Sequence, residues 1–194
     1  MWSTKYAWSS KSKGYLKMDN KKYIDAAANI KLVVFDVDGV LTDGKLILGE
    51  NGNEYKCFHV RDGQGLVMLM KTECKVAVIT ARSSKIVAER MESLGVKYIF
   101  QGEENKGKTL TKLINKLGMT FADVAYVGDD VIDLPAMKKV SLPIAVADAH
   151  PEVKKLAKFI TQNNGGQGAV REICELIMTA QNNFQNQIKA LLSS

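Results

Sequence analysis

Short apolar runs rich in β-branched residues alternate along this chain with longer stretches whose apolar residues recur every three or four positions. The first pattern predicts buried strands and the second amphipathic helices. Strands are expected near residues 31–36, 75–80, 97–100, 124–127 and 142–146, with an edge strand near 159–161. Helices are expected near 23–29, 64–72, 84–94, 108–117, 131–138 and 151–157. Leu110, Leu113, Ile114 and Leu117 share one helical face, and Gly95 and Gly118 sit where helices end. Val170, Ile173, Cys174 and Ile177 form the stripe of a last helix, expected over about 168–192. Two short extended pieces, 45–48 and 54–60, flank Asn51-Gly52, the strongest short hairpin signal. The expectation is therefore an α/β fold: three layers, Rossmann-like, with a central mostly parallel sheet, helices on both faces and a small β-hairpin at about 45–58.

Bulk composition narrows the classes. A chain of 194 residues with 46% hydrophobic and 25% charged residues suits one ordinary globular domain, expected over 23–194. No apolar run is long enough to span a membrane and none begins the chain as a signal peptide would, so a cytoplasmic protein is expected. Cys57, Cys74 and Cys174 have no zinc-like spacing and form no evident disulfide framework. The net charge of +6 suggests nucleic acid until it is located. Residues 1–22 hold six lysines and one acid, which accounts for five of the six charges. The basicity belongs to an N-terminal extension, and the nearly neutral body argues against a nucleic-acid partner.

The chemistry concentrates at predicted strand ends. Leu32-Val33-Val34-Phe35 runs directly into Asp36-Val37-Asp38-Gly39. Alternate residues of extended chain face one way, so Asp36 and Asp38 are expected to project together from the carboxyl end of the first strand. Open α/β sheets bind their ligands there. Two like charges held this close call for a cation or a shared proton. Magnesium with a phosphoryl substrate fits, with Asp36 as nucleophile and Asp38 as proton donor and acceptor. A calcium loop would need a Glu at its twelfth position, where this chain has Ile47. Thr80 ends the second buried strand and offers a hydroxyl to a phosphoryl oxygen, or a cap to the next helix. Lys106 stands at a loop-to-helix junction and could offset negative charge, although composition alone does not separate it from Lys108. Asp129, after the strand 124–127, is the natural third contributor to a magnesium site. Asp133 is placed one turn further on as a supporting residue, and Asp130 as a helix cap.

A strand-end Asp-x-Asp, a strand-end Thr, a Lys and an acidic cluster, in that order, resemble the haloacid dehalogenase (HAD) superfamily of phosphohydrolases. Over about residues 26–181 the chain is most similar to its capless octulosonate 8-phosphate phosphatase family. The resemblance is carried by Asp36 through Gly44, Val60-Arg61-Asp62-Gly63, Tyr126 through Asp130 with Asp133, Ala147-Asp148-Ala149-His150-Pro151, and Gly165 through Glu172. It implies a magnesium-dependent hydrolysis of 3-deoxy-D-manno-octulosonate 8-phosphate through an aspartyl-phosphate on Asp36, serving lipopolysaccharide core synthesis. It implies magnesium held by Asp36, Asp129 and the main-chain carbonyl of Asp38, and phosphoryl stabilisation by Thr80 and Lys106. It assigns contact with the acidic sugar to His59, Val60, Arg61, Asp62, Gly63, Arg82, Arg90 and Lys106. It also implies a homotetramer in which the hairpin and the segment 165–171 complete a neighbour's site. Two positions depart from relatives: His59, often Asn, and Val67, where some carry Arg. These are the positions that could separate the octulosonate from a nonulosonate 9-phosphate substrate. A catalytically silent oligomerisation module of the same fold would be expected to have lost a motif carboxylate or the lysine, and this chain keeps them all.

Overall fold

The computed structural model describes residues 21–193. The N-terminal extension, 1–22, lies outside the described residues except for its last two positions.

Six strands form one sheet in the order β5-β4-β1-β6-β7-β8, every neighbouring pair parallel. They are β1 (Leu32–Phe35), β4 (Lys75–Ile79), β5 (Tyr98–Phe100), β6 (Val124–Gly128), β7 (Leu142–Ala145) and β8 (Phe159–Ile160). The chain starts at β1 in the middle, builds outward through β4 and β5, then returns to the other side of β1 for β6, β7 and β8. That reversal opens a crevice at the carboxyl ends of β1 and its neighbours. Every residue of β1 and β6 is buried, as strands covered on both faces must be. Helices α1 (Lys21–Ala28), α2 (Val60–Met70) and α7 (Ala169–Ala180) pack together, while α4 (Lys106–Leu117), α5 (Leu134–Met137) and α6 (Pro151–Leu156) form a second group. Helices thus cover the sheet on both faces. A separate two-stranded antiparallel ribbon, β2 (Ile47–Leu48) with β3 (Glu54–Tyr55), is the hairpin. Its turn places Asn51 and Gly52 at φ of 59° and 76°, the left-handed conformation that Asn-Gly favours.

Several boundaries differ from the sequence expectation. The extended piece placed over 54–60 pairs only at Glu54–Tyr55, and α2 begins at Val60 rather than near residue 64. Gly63 and Gly65 mask the helical pattern because each is poor in a helix interior. Packing explains them. A Cβ on Gly65 would stand 3.2 Å from the Arg171 Cα of α7, and one on Gly63 would stand 2.6 Å from Arg90 Nη2. The helix expected over 168–192 is two helices, α7 and α8 (Phe184–Leu192). The break falls at Asn182, whose φ of 58° no α-helix accommodates. Helix α4 starts at Lys106, two residues earlier than expected, because the Asn105 side chain caps it by accepting from the Lys108 N–H. Helix α3 (Lys85–Ser93) lies within its expected range.

Candidate active site

Asp36 leaves β1 still bonded to β6, its N–H donating to the Val127 carbonyl at 3.1 Å. The chain then coils tightly: the N–H groups of Val40, Leu41 and Thr42 all point at the Val37 carbonyl. The Thr42 hydroxyl accepts from Gly39 and Gly44. Gly39 sits at φ 94°, and a Cβ there would come 2.1 Å from Asp129 Oδ2. Glycine therefore serves two needs at once, the turn and the approach of the opposite carboxylate. Gly128 makes room for Asp133 in the same manner.

Asp36, Asp129 and Asp133 each offer an oxygen, and these lie within 4.8 Å of one another. Lys106 sits among them almost wholly buried, 2.7 Å from Asp133 Oδ1 and 2.8 Å from Asp36 Oδ1. Only the contact to Asp133 is aligned as a hydrogen bond. Asp133 is fully engaged: Oδ1 also accepts from the Tyr126 hydroxyl, and Oδ2 from the N–H groups of Asp129 and Asp130. Asp36 Oδ1 and Asp129 Oδ1 are buried without a hydrogen-bond partner. The carboxyl groups respond as crowded buried acids should. Burial pushes Asp36 up to about 7, with help from Asp133 and opposition from Lys106. Burial and then the Asp36 charge push Asp129 up to about 8. Burial acts to lower Lys106, but Asp36 and Asp133 outweigh it and hold the ammonium above its ordinary value.

This donor set fits a hard cation. Two crowded buried acids raised to about 7 and about 8, each with an oxygen that has no hydrogen-bond partner, are what a divalent ion would satisfy. Asp133, with all its oxygens committed, is left to orient Lys106 and the 129–130 backbone. Asp130 caps the following turn by accepting from Val131.

The Asp38 carboxylate stands apart from that cluster. It is paired with Lys56 and faces Arg82, whose Nε lies 3.8 Å from Oδ2. Sequence reasoning missed Lys56 and its second partner, Glu54. A signal existed: residues 54 and 56 are two apart in a strand piece, so they share a face. Tyr126 was quoted as part of a motif but given no role. Thr80 is buried at the end of β4, beside β1, and its hydroxyl accepts from the Arg82 N–H at 3.3 Å.

The expected sugar contacts separate. His59, Gly63 and Arg90 line one narrow cleft with Phe58 and Leu66, and His59 Nδ1 is buried without a hydrogen-bond partner, 3.9 Å from Asp62 Oδ2. Val60 and Arg61 face solvent. Asp62 lines the same cleft, and its buried carboxylate also holds the start of α7, accepting from Arg171 N at 2.8 Å and Gly168 N at 3.3 Å. Gly168 has no side chain with which to cap that helix, so Asp62 does it from afar. The segment expected to serve a neighbour also packs within its own chain. Gly165 and Gly166 lie on this chain's own Gly39–Asp43 backbone, and the Gly166 N–H donates to Val40 O at 2.9 Å. Asp148 accepts from Gly165, while His150 donates its N–H to Asp129 O and caps α6, which accounts for that motif. Val67 lines a surface cavity of about 390 Å³, beside Lys75 at the amino end of β4, the opposite end of the sheet from the carboxylates.

Residues 95–173 match the haloacid dehalogenase-like hydrolase family. The chain is 48% identical over 158 residues to the 3-deoxy-D-manno-octulosonate 8-phosphate phosphatase KdsC of Escherichia coli K12, covering 81% of this chain and 84% of that one. A crystal structure of a probable YrbI family phosphatase from Pseudomonas syringae superposes with a TM-score of 0.87 at 45% identity, covering 89% of this chain and 98% of that one. So does the octulosonate 8-phosphate phosphatase of Moraxella catarrhalis in complex with magnesium, phosphate and KDO, with a TM-score of 0.87 at 40% identity over 90% of this chain and 99% of that one.

Proposed function

Because this chain belongs to the 3-deoxy-D-manno-octulosonate 8-phosphate phosphatase family of haloacid dehalogenase-like hydrolases, we propose that it releases phosphate from that sugar acid in lipopolysaccharide core synthesis. One observation carries the reading. Two buried carboxylates, Asp36 and Asp129, keep unpartnered oxygens at the carboxyl ends of adjacent strands, with a buried lysine beside them.

The Asp36 carboxylate attacks phosphorus, and the bond to the sugar oxygen breaks. Asp38 gives that oxygen its proton, so a neutral alcohol leaves. The aspartyl-phosphate is then attacked by water, which yields its proton to Asp38 as the bond to Asp36 breaks. Lys106 and the Thr80 hydroxyl hold phosphoryl oxygens, and Lys106 keeps charge near Asp36 balanced. Asp36, Asp129 and the Asp38 main-chain carbonyl would hold magnesium, which when bound offsets phosphoryl charge. Arg82, held in place by Glu54, would meet the sugar acid together with Arg90 and His59. Arginine's planar fork suits its carboxylate.

A homotetramer belongs to the same proposal. The hairpin exposes Leu46, Ile47, Leu48 and Tyr55, an apolar surface that a second copy would cover. A cytoplasmic location is also proposed; among the described residues no helix is long and apolar enough to cross a membrane.

Phosphate release from octulosonate 8-phosphate and from a nonulosonate 9-phosphate, with magnesium or chelator and with Asp36→Asn as control, tests the reading. Selective, magnesium-dependent release from the octulosonate, lost in the variant, is expected. Preference for the nonulosonate moves the substrate. No release from folded, magnesium-loaded protein overturns the enzyme reading.

A further inference from the structure

Lys56 follows β3, and its side chain is withdrawn from solvent completely. Lysines do not reach such burial without partners. This one donates a hydrogen bond to Asp38 Oδ1 and lies 3.3 Å from Glu54 Oε1. Arg82 closes the group from the other side, donating from Nη2 to the same Glu54 oxygen at 3.1 Å. Asp38, Lys56, Glu54 and Arg82 thus alternate in sign around a ring. Two of the four, Glu54 and Lys56, come from the hairpin.

The two oxygens of Asp38 are treated differently. Oδ1 is held by Lys56, while among the described residues no hydrogen-bond donor reaches Oδ2, the Arg82 Nε standing off at 3.8 Å. We propose that Lys56 is a positioning residue for proton transfer: it pins Asp38 through Oδ1 so that Oδ2 carries the proton to and from the reacting oxygens. The proposal rests on the reading of Asp38 as the acid and base. In the first step the Oδ2 proton moves to the ester oxygen as its bond to phosphorus breaks and the bond from Asp36 forms. In the second, Oδ2 takes a proton from water as the water oxygen bonds phosphorus and the bond to Asp36 breaks. An aspartate still partly open to solvent has two torsions to fix, and misplacing the acid by an ångström is costly. Glu54 in turn holds Lys56, so the hairpin reports its own placement to the acid.

The discriminating measurement is the dependence of kcat/KM on leaving group. A series of aryl phosphates from p-nitrophenyl to phenyl would be compared in wild type, Lys56→Met and Lys56→Arg. Nitrophenolate departs without a proton, whereas phenolate needs help. Lys56→Met is expected to lose on the order of 10²-fold with phenyl phosphate but under about 3-fold with p-nitrophenyl phosphate, because only the former draws on general-acid assistance. Lys56→Arg, which keeps a cationic donor, recovers part of the loss. Retained p-nitrophenyl phosphate turnover certifies the fold; if the Met variant does not fold, Lys56→Gln carries the same comparison. An equal loss across the series, or no loss, overturns the proposal. Wild-type turnover of octulosonate 8-phosphate is scored separately. Failure there removes the substrate assignment, and the leaving-group slope still decides Lys56.

Discussion

Two lysines in this molecule are each gripped by a pair of carboxylates, and they are carried by opposite kinds of structure. Lys106 opens a twelve-residue helix and sits between Asp36 and Asp133, on the floor formed by the ends of β1 and β6. Lys56 sits between Asp38 and Glu54 on a ribbon whose two strands are two residues each. The first is surrounded by sheet, by Tyr126 and by backbone donors, so its charge is fixed in space. The second is fixed only as firmly as its hairpin. The same pairing therefore does different work. On the floor it balances charge where phosphoryl transfer would occur, and on the hairpin it ties a short two-stranded ribbon to Asp38.

Removing the floor lysine should have the largest effect. Lys106→Met is expected to lower kcat by about 10²- to 10³-fold, the loss typical of an oxyanion-stabilising group. It should also destabilise the metal-free protein by roughly 3–5 kcal/mol, since buried acids lose their counter-charge. Phosphate-release kinetics and urea unfolding check the two halves. A floor variant that loses activity but no stability would erase the contrast with the hairpin.

The floor should also be sensitive to pH in a way the hairpin is not. Asp36 and Asp129 are raised to about 7 and about 8, above their unfolded values. The fold thus binds more protons than the unfolded chain over that interval, and the pair's contribution is lost as pH rises through those values. In chelator the melting temperature should fall between about pH 6 and about pH 8.5, and magnesium should raise it more at the higher pH, where both acids are ionised. Thermal melts at the two pH values, with and without magnesium, measure this.

Smaller effects mark the periphery. Asp62→Ala leaves the Gly168 and Arg171 N–H groups without their acceptor and should cost about 1–3 kcal/mol in urea unfolding. Arg82→Ala removes a half-exposed guanidinium from the hairpin ring. Its stability cost should stay within about 1 kcal/mol, as for exposed ion pairs, while KM for the sugar phosphate rises.

What the chain's pattern revealed depended on whether the signal was local. Asp36, Asp38 and Asp129 were legible because each directly follows a run of buried β-branched residues, and strand ends converge in this architecture. The six strands were legible for the same reason. Lys106 and Lys108 could not be separated until the Asn105 cap fixed where the helix starts, burying one and exposing the other. The hold of Asp62 on α7 left no local trace, because its partners Gly168 and Arg171 are far along the chain. The helix that carries Asp62 was hidden by Gly63 and Gly65, whose purpose is close packing against Arg90 and α7. The ring around Asp38 joins three separate segments, and only Glu54 with Lys56 leave a local trace.

The glycine pair at 165–166 adds a matter of timing. The loop that follows Asp36 is synthesised well before the backbone that lies across it, which comes from Gly165 and Gly166. Domains fold as their parts emerge, and contacts this distant in sequence form late. A nascent chain halted before Gly165 exposes the Gly39–Asp43 backbone, with Val40 O deprived of its donor. The start of α7 and Asp62 must wait for each other in the same way. A chain truncated before Gly165, with every motif carboxylate in place, should therefore still lack an assembled loop after Asp36.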